Sequence, residues 1–474
     1  MSGIDLRRIV SSTALYGLAD SLVVLVGGLL LLPLYTATLT QREFGAYIAV
    51  RTNVELLTYL LHFGLISAVS RLYFDYRAVG QGQAYVGSIA LWFPIQLLLF
   101  GGGLLIVGIP WWRALSPGVA AFPYLGFAFA IATANFYFNL ATTTLRAEQR
   151  VKTFVAVQLG VATVLVGVAY FVLVDRRLGL PGLMAALFAS AAVGALALPL
   201  ALRGGIRLQI VTEHIRHSLR YALPIVSGLL AYFVLNRISI LILQRYVPVT
   251  ELALYGLAQQ IALIVTVAGV AFGKAIQPVL FAAAIDRLPM LLRNTMTIYV
   301  IALSVVTSLI LLFGFEIITI ISPEIYRTAH PIMLILVTAT FAYALTLASD
   351  TAVLCFRKPG ASAAITAGGA ALSAVLSLLL IPRAGLVGGA GALLIASVVL
   401  VVIADRVAQR LSGFSNIGSA ATGIATVGGI AIFAHWVQSS DMAAEASFWT
   451  RCLVAVTLVG GHLIILRRCI RAPA

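Results

Sequence analysis

The chain has 474 residues, 61% of them hydrophobic and 10% charged, with a formal net charge of +15, and its mean hydropathy is +1.05. Soluble domains carry roughly 25% charged residues, so this composition excludes a string of soluble domains and predicts an all-α polytopic membrane protein. A basic excess of this size points to nucleic acid in a soluble chain, so the Lys and Arg residues must be placed against the spans before they are given a meaning.

Runs of about 20 mainly apolar residues are long enough to span a bilayer, and fourteen occur: 9–36, 44–70, 84–109, 119–145, 153–174, 179–201, 217–245, 252–282, 292–314, 325–355, 361–381, 385–404, 415–437 and 447–466. None alternates with the two-residue period of a strand, which argues for helices and against a β-barrel. The opening MSGIDLRRIV is a short basic lead into a run too long for a signal-peptide core. The three cysteines, Cys355, Cys452 and Cys469, lie in or beside apolar runs and form neither a disulfide framework nor a metal-ligand spacing.

Alternating the loops from the N-terminus puts twenty of the 31 basic residues on one side and eight on the other. The positive-inside rule then places both termini in the cytoplasm. Orientation and anionic headgroups account for most of the charge, and nucleic acid is not an expected partner. Three cations remain inside spans, Arg51, Arg237 and Lys274, together with the carboxylates Asp20, Glu55 and Asp350.

The chain repeats. Glu43-Phe-Gly-Ala-Tyr47 returns as Glu251-Leu-Ala-Leu-Tyr255, and the run from Arg177 to Leu187 returns as Arg383 to Leu393. Spans 1–6 and 7–12 are therefore expected to be two homologous six-helix lobes of the same orientation, related by a pseudo-twofold axis, as in transporters whose site lies between parallel repeats. The expected divisions are 1–203 for the first lobe, 204–216 for a cytoplasmic linker, 217–411 for the second lobe, and 412–474 for two extra spans with a basic tail. The linker region carries His214 and His217, but no third ligand lies close enough in sequence for a metal site. The small residues Gly385, Gly388, Gly389, Gly391 and Ala392 open a membrane span and follow no strand, so they suit helix packing and not a nucleotide loop. No extramembrane stretch is long enough for an ATPase or glycosyltransferase domain, and a transporter is expected, not an enzyme.

At 100° per residue, Arg51, Glu55, Thr58, Tyr59 and His62 share a face about 100° wide, with Asn53 on the opposite side. A polar stripe on a span should face a water-filled cavity or the bundle interior. It runs about 16 Å, longer than one Arg51–Glu55 pair requires, although such an internal pair remains an alternative. A charge at the bilayer centre costs at least about 2.5–3.5 kcal/mol on insertion scales. Three cations therefore point either to an anion-binding cavity lined by Arg51, Arg237 and Lys274 or to mutual neutralisation by the three carboxylates. Tyr59 belongs to the expected cavity lining, and Asn135, Tyr137 and Asn139, with Gln259 and Gln260, are candidates either to hydrogen-bond sugar hydroxyls or to hold helices together. Asp20, Glu55 and Asp350 are candidates for coupling to H+ or Na+, and no other cofactor and no metal centre are expected.

The segment PLYTATLTQREFGAY (33–47) resembles the first-to-second-span signature of the polysaccharide-transporter branch, the Wzx-type flippases, of the multidrug/oligosaccharidyl-lipid/polysaccharide (MOP) superfamily. So do Phe63-Gly-Leu, Ser70-Arg-Leu-Tyr-Phe74, Leu145-Arg-Ala-Glu-Gln-Arg150 and, in the second half, Leu219-Arg-Tyr-Ala-Leu-Pro224 with Glu251 to Tyr255. The second copy departs from the first in having Leu252 and Ala253 where Phe44 and Gly45 stand. The resemblance covers nearly the whole chain. It implies an inner-membrane flippase carrying an undecaprenyl-diphosphate-linked oligosaccharide from the cytoplasmic to the periplasmic leaflet, with membrane lipids, a glycan polymerase and glycosyltransferases as its associates. Spans 13 and 14 resemble the extra pair of the peptidoglycan-precursor flippases, where they help to accommodate the lipid tail. Three rivals stand beside this reading. They are a peptidoglycan-precursor flippase, a non-transporting membrane subunit of a glycan synthase, and a cation-coupled drug antiporter, which would want an acidic cavity.

Overall fold

A chain this apolar has to satisfy its backbone hydrogen bonds within each segment if it is to lie in lipid. The computed structural model describes residues 6–202, 209–282, 288–356, 358–413, 415–440 and 444–471, and among these no strand occurs. In chain order the helices are α1 (Leu6–Leu25), α2 (Leu32–Thr38), α3 (Gln41–His62), α4 (Leu65–Ala78), α5 (Gly82–Gln96), α6 (Gly102–Leu115), α7 (Tyr124–Ala147), α8 (Val151–Tyr170) and α9 (Gly179–Ala195). They continue as α10 (Leu198–Ala201), α11 (Thr212–Tyr246), α12 (Val249–Ala282), α13 (Leu288–Leu312), α14 (Gly314–Ile321), α15 (His330–Cys355), α16 (Pro359–Ser412), α17 (Ile417–Ser439) and α18 (Ala444–Arg471). Each of the fourteen expected spans falls on a helix or on jointed helices. Among the described residues eleven helices are long and apolar enough to cross a membrane, and the bent pair α3–α4 adds a twelfth. One of the eleven, α16, holds two expected spans. Its 54 residues would reach about 80 Å as one straight helix, and the helix breaks at Gly385.

The joints have local causes. Phe63 and Gly64 both adopt left-handed backbone angles (φ 46° and 69°), which ends α3 and starts α4 at a 42° bend. A π-helical turn, Val26–Leu30, links α1 to α2, and another, Leu97–Gly101, follows Pro94 of α5.

The sequence repeat has a backbone counterpart. Gly179 and Gly385, matched by the repeat, both have positive φ, 59° and 53°, where a side chain would be strained. In the first copy the two repeated motifs meet. Glu43 Oε2 accepts from the Thr40 backbone N–H (3.0 Å) and hydroxyl (2.9 Å), and the Glu43 N–H donates to Thr40 Oγ1 (3.2 Å), a capping box that starts α3. Its other oxygen, Oε1, accepts from the Leu180 N–H at 3.4 Å in the first turn of α9. One carboxylate therefore caps two helices and ties the Glu43 motif to the Gly179 turn.

The helices gather into two compact units, residues 1–253 and 254–474. In the first, α7 packs on α9 and α3, α8 on α9 and α1, and α11 on α3, α4 and α5. In the second, α15 lies along α16, and α13 packs on α15, α17 and α18. The packing boundary differs from the expected division after the 204–216 linker: α11 opens the second sequence repeat but packs with the helices of the first. The reason is visible in its side chains. The first turns of α11 are clasped by α4 and α5, with Tyr85 Oη and Ser218 Oγ 2.8 Å apart, Tyr76 Oη 3.1 Å from His217 Nδ1, and His214 between Ser88 Oγ and Gln81 Oε1. Both linker histidines are thus used in packing.

Candidate functional site

The cavity of the first unit is built on α3. Arg51, Val54, Glu55, Thr58, Tyr59 and His62 line it, joined by Gly64, Ile66 and Ser67 across the bend, Asn135 and Asn139 of α7, and Leu229 of α11. Its volume is about 480 Å3. The five polar residues that helical geometry put on one face of α3 all line this one space. Asn53, on the opposite face, is fully buried. Its Nδ2 donates to Ser116 Oγ at 2.7 Å, and that hydroxyl donates on to Gln244 Oε1 of α11 at 2.5 Å.

The charges pair differently from the expected internal pair. Glu55 does not bridge to Arg51, one turn away on its own helix. Its Oε2 accepts from Arg237 Nε of α11 at 2.8 Å, with both side chains about one quarter exposed. Arg51 instead donates through Nη1 to the Tyr47 hydroxyl at 3.2 Å, and the Tyr47 ring packs edge-on against Tyr35 with centroids 5.6 Å apart. Tyr59 meets Phe233 of α11 edge-on at 6.1 Å.

His62 closes the cavity as a packed side chain. Its Nε2 lies 3.0 Å from the Ala132 carbonyl. A carbonyl only accepts, so Nε2 carries the proton. The ring stands edge-on to Phe136 and Phe93, which stack on each other at 3.6 Å. On α7, Asn135 and Asn139 face the cavity one helical turn apart, while Tyr137 between them donates to the Ala90 carbonyl at 3.3 Å.

The other site candidates lie elsewhere. Asp20 is part of an ion pair with Arg146 (3.0 Å) and accepts from Gln158 Nε2 at 2.8 Å. Arg146 stands at the end of α7, where the sequence puts a loop. Asp20 is therefore less deep than a count from the start of span 1 suggests, because its partner stands at the end of a neighbouring helix. Asp350, in the second unit, lines a separate cavity of about 190 Å3 with Tyr299, Thr295, Met296 and Thr351. Its Oδ2 accepts from Ser362 Oγ at 2.9 Å, and its Oδ1 is buried with no hydrogen-bond partner among the described residues. Lys274 falls in α12, but its side chain lies outside the described residues.

A family model described as polysaccharide biosynthesis protein matches residues 10–284. The chain belongs to the polysaccharide biosynthesis protein family. The match takes in α3, α7 and α11, hence every side chain of the larger cavity, and stops before Asp350. No curated protein sequence matches this one. Among solved structures, the lipid II flippase MurJ in an inward closed conformation is similar, with a TM-score of 0.67 at 10% identity over 91% of this chain and 98% of that one. An inward-facing multidrug resistance MATE family transporter of the MOP superfamily matches with a TM-score of 0.62 at 16% identity, covering 85% and 95% of the two chains. An outward-facing multidrug resistance MATE family transporter of the MOP superfamily gives 0.56 at 16% identity, covering 86% and 95%. At such identities the likeness is one of fold, and this family member has the fold of the MOP flippases.

Proposed function

We propose that this protein is a flippase that moves an undecaprenyl-diphosphate-linked oligosaccharide, the repeat unit of an O-antigen, capsule or exopolysaccharide, across a bacterial inner membrane by alternating access, with both termini cytoplasmic. The observation that carries the proposal is the composition of the larger cavity. It sets the guanidinium of Arg51 among uncharged hydrogen-bonding side chains, Thr58, Tyr59, Asn135 and Asn139, within a membrane-spanning bundle. Guanidinium groups bind phosphate oxygens through paired, charge-assisted hydrogen bonds, and amides and hydroxyls suit sugar hydroxyls. Arg237, and Lys274 by its sequence position, extend the cationic path. The lipid tail stays in the bilayer throughout, so the protein has only the polar headgroup to shelter. Family membership supports a role in glycan assembly, where glycosyltransferases supply the lipid-linked substrate and a polymerase consumes it. A drug antiporter is less well served by a cavity whose carboxylate, Glu55, is already paired with an arginine.

The test is transfer in proteoliposomes, read by lectin access to the outer leaflet. A lipid-diphosphate oligosaccharide should cross at least about tenfold faster than the same glycan on a monophosphate, the difference of one charged hydrogen-bond pair. Equal rates for the two, or equal transport of a cationic dye, would remove the proposal.

The carboxylates divide into two groups as coupling sites. Asp20 and Glu55 are held in ion pairs, whereas Asp350 lines a small cavity and keeps one buried oxygen that has no hydrogen-bond partner among the described residues. One H+ or Na+ entering down about 100 mV contributes about 2.3 kcal/mol. We expect Asp350→Asn to remove the dependence of transport on an imposed ion gradient. Asp20→Asn should leave that dependence intact and lower stability by about 1 kcal/mol or less, because Arg146 is largely exposed. Parallel transport assays with proton and sodium gradients would check both expectations.

A further inference from the structure

The cavity carries its own anion. Among the described residues Glu55 is the one acidic side chain lining it, and it is spent on Arg237 of α11. Contrary to the expectation from sequence, Arg237 is not itself a lining residue but reaches the cavity through that carboxylate. The bond is short, 2.8 Å from Nε to Oε2, and joins side chains 182 positions apart in sequence. It is also poorly exposed, with 25% and 27% of the two side chains accessible, so screening by salt is weaker than at a free surface. The pair is flanked by Tyr59, packed on Phe233, and Arg51 stands one turn away along the same wall.

We infer that Glu55 is a built-in competitor for the substrate's phosphate. In the empty cavity it occupies Arg237, and an anionic headgroup binds by displacing it. The inference rests on the proposed flippase reading and deepens it by giving Glu55 a role in selectivity and release. A ligand without a negative charge has nothing to offer Arg237 in exchange for the carboxylate, so it leaves the pair closed. A phosphate replaces one charge-assisted bond by another, so the net gain is small and the affinity stays low enough for release. If the pair is closed in about nine molecules of ten, the apparent dissociation constant is about tenfold weaker than the intrinsic one. The pair also joins α3 to α11, so the same displacement loosens one of the ties between those helices. The Asn53–Ser116–Gln244 chain on the other face of α3 does not involve Arg237 and remains.

Titration calorimetry on the full chain in detergent, with inorganic diphosphate and farnesyl diphosphate as probes, tests the competition. Glu55→Gln should bind both probes about tenfold more tightly than the unaltered protein. Glu55→Asp, whose shorter arm weakens the pair while keeping the charge, should bind with intermediate affinity and guards against a folding defect in the first variant. Arg237→Gln should bind more weakly than the unaltered protein, and adding Glu55→Gln to it should change nothing further. If Arg237→Gln weakens binding but neither Glu55 variant tightens it, the competition is wrong and the cationic cavity stands. If Arg237→Gln and Arg51→Gln bind the probes as the unaltered protein does, the cationic cavity itself fails and the competition fails with it.

Discussion

Arg51→Ala should abolish transfer of the lipid-linked glycan while the protein still accumulates in the membrane. Arg51 lines the cavity, and its hydrogen bond goes to a tyrosine on its own helix one turn back. Among the described residues no carboxylate is bonded to it, so removing its charge strands no buried anion, and the fold has little to lose. A charge-assisted hydrogen bond contributes about 1.5–3 kcal/mol, which corresponds to about 10- to 100-fold in affinity. During passage through a medium that solvates charge poorly the same bond counts for more. Lys274→Ala is expected to have the same effect. The measurement is surface glycan in cells carrying each variant, with membrane abundance determined alongside. Normal surface glycan in both variants would sink the cationic path. Arg51→Lys should recover part of the activity, because an ammonium keeps the charge but not the paired geometry.

Glu316→Ala should lower stability by about 3–5 kcal/mol, the cost of breaking a buried ion pair from one side. In the second unit Arg451 of α18 is only 5% exposed. Its Nη2 lies 2.6 Å from Glu316 Oε1 of α14, its Nη1 donates to Glu316 Oε2 at 3.0 Å, and Nη1 also reaches the Leu312 carbonyl at 3.3 Å. This paired bond fastens the last helix, which lies outside the sequence repeat, to the end of the α13–α14 segment. Removing the carboxylate takes this paired counter-charge from a buried guanidinium. Thermal unfolding in detergent should show the loss, and proteolysis should cut first near α18. The double variant Glu316→Ala/Arg451→Leu should recover most of the stability, since the stranded charge is gone. A Glu316→Ala variant as stable as the parent would mean that the pair contributes nothing to docking α18.

The polar face of α3 is legible in the sequence. Arg51, Glu55, Thr58, Tyr59 and His62 line one cavity because a helix turns 100° per residue wherever it lies. The partners of those residues are not legible there. His62 reads as the end of a polar stripe, yet its proton goes to the Ala132 carbonyl of α7 and its ring to Phe93 and Phe136. Phe233 is an ordinary apolar residue in sequence, and only the packing of α11 against α3 makes it the neighbour of Tyr59. Asn53 has no evident task on the far face of the helix, but in the fold it starts a hydrogen-bonded chain that runs through Ser116 to Gln244.

Composition, spacing and the repeat determined what kind of molecule this is: a helical membrane protein of many spans, with a duplicated signature and a polar face on its second span. These properties are local. Lipid requires each backbone to bond within its own helix, and periodicity follows from the helix itself. The tertiary structure alone decided that Glu55 belongs to Arg237 and not to Arg51, that Asp20 is tied to Arg146, that Asp350 keeps an oxygen unpartnered among the described residues, and that α11 packs with the helices before it. Which charge meets which depends on how helices far apart in sequence pack together, and the difference between an i, i+4 partner and one 182 positions away leaves no mark on the chain.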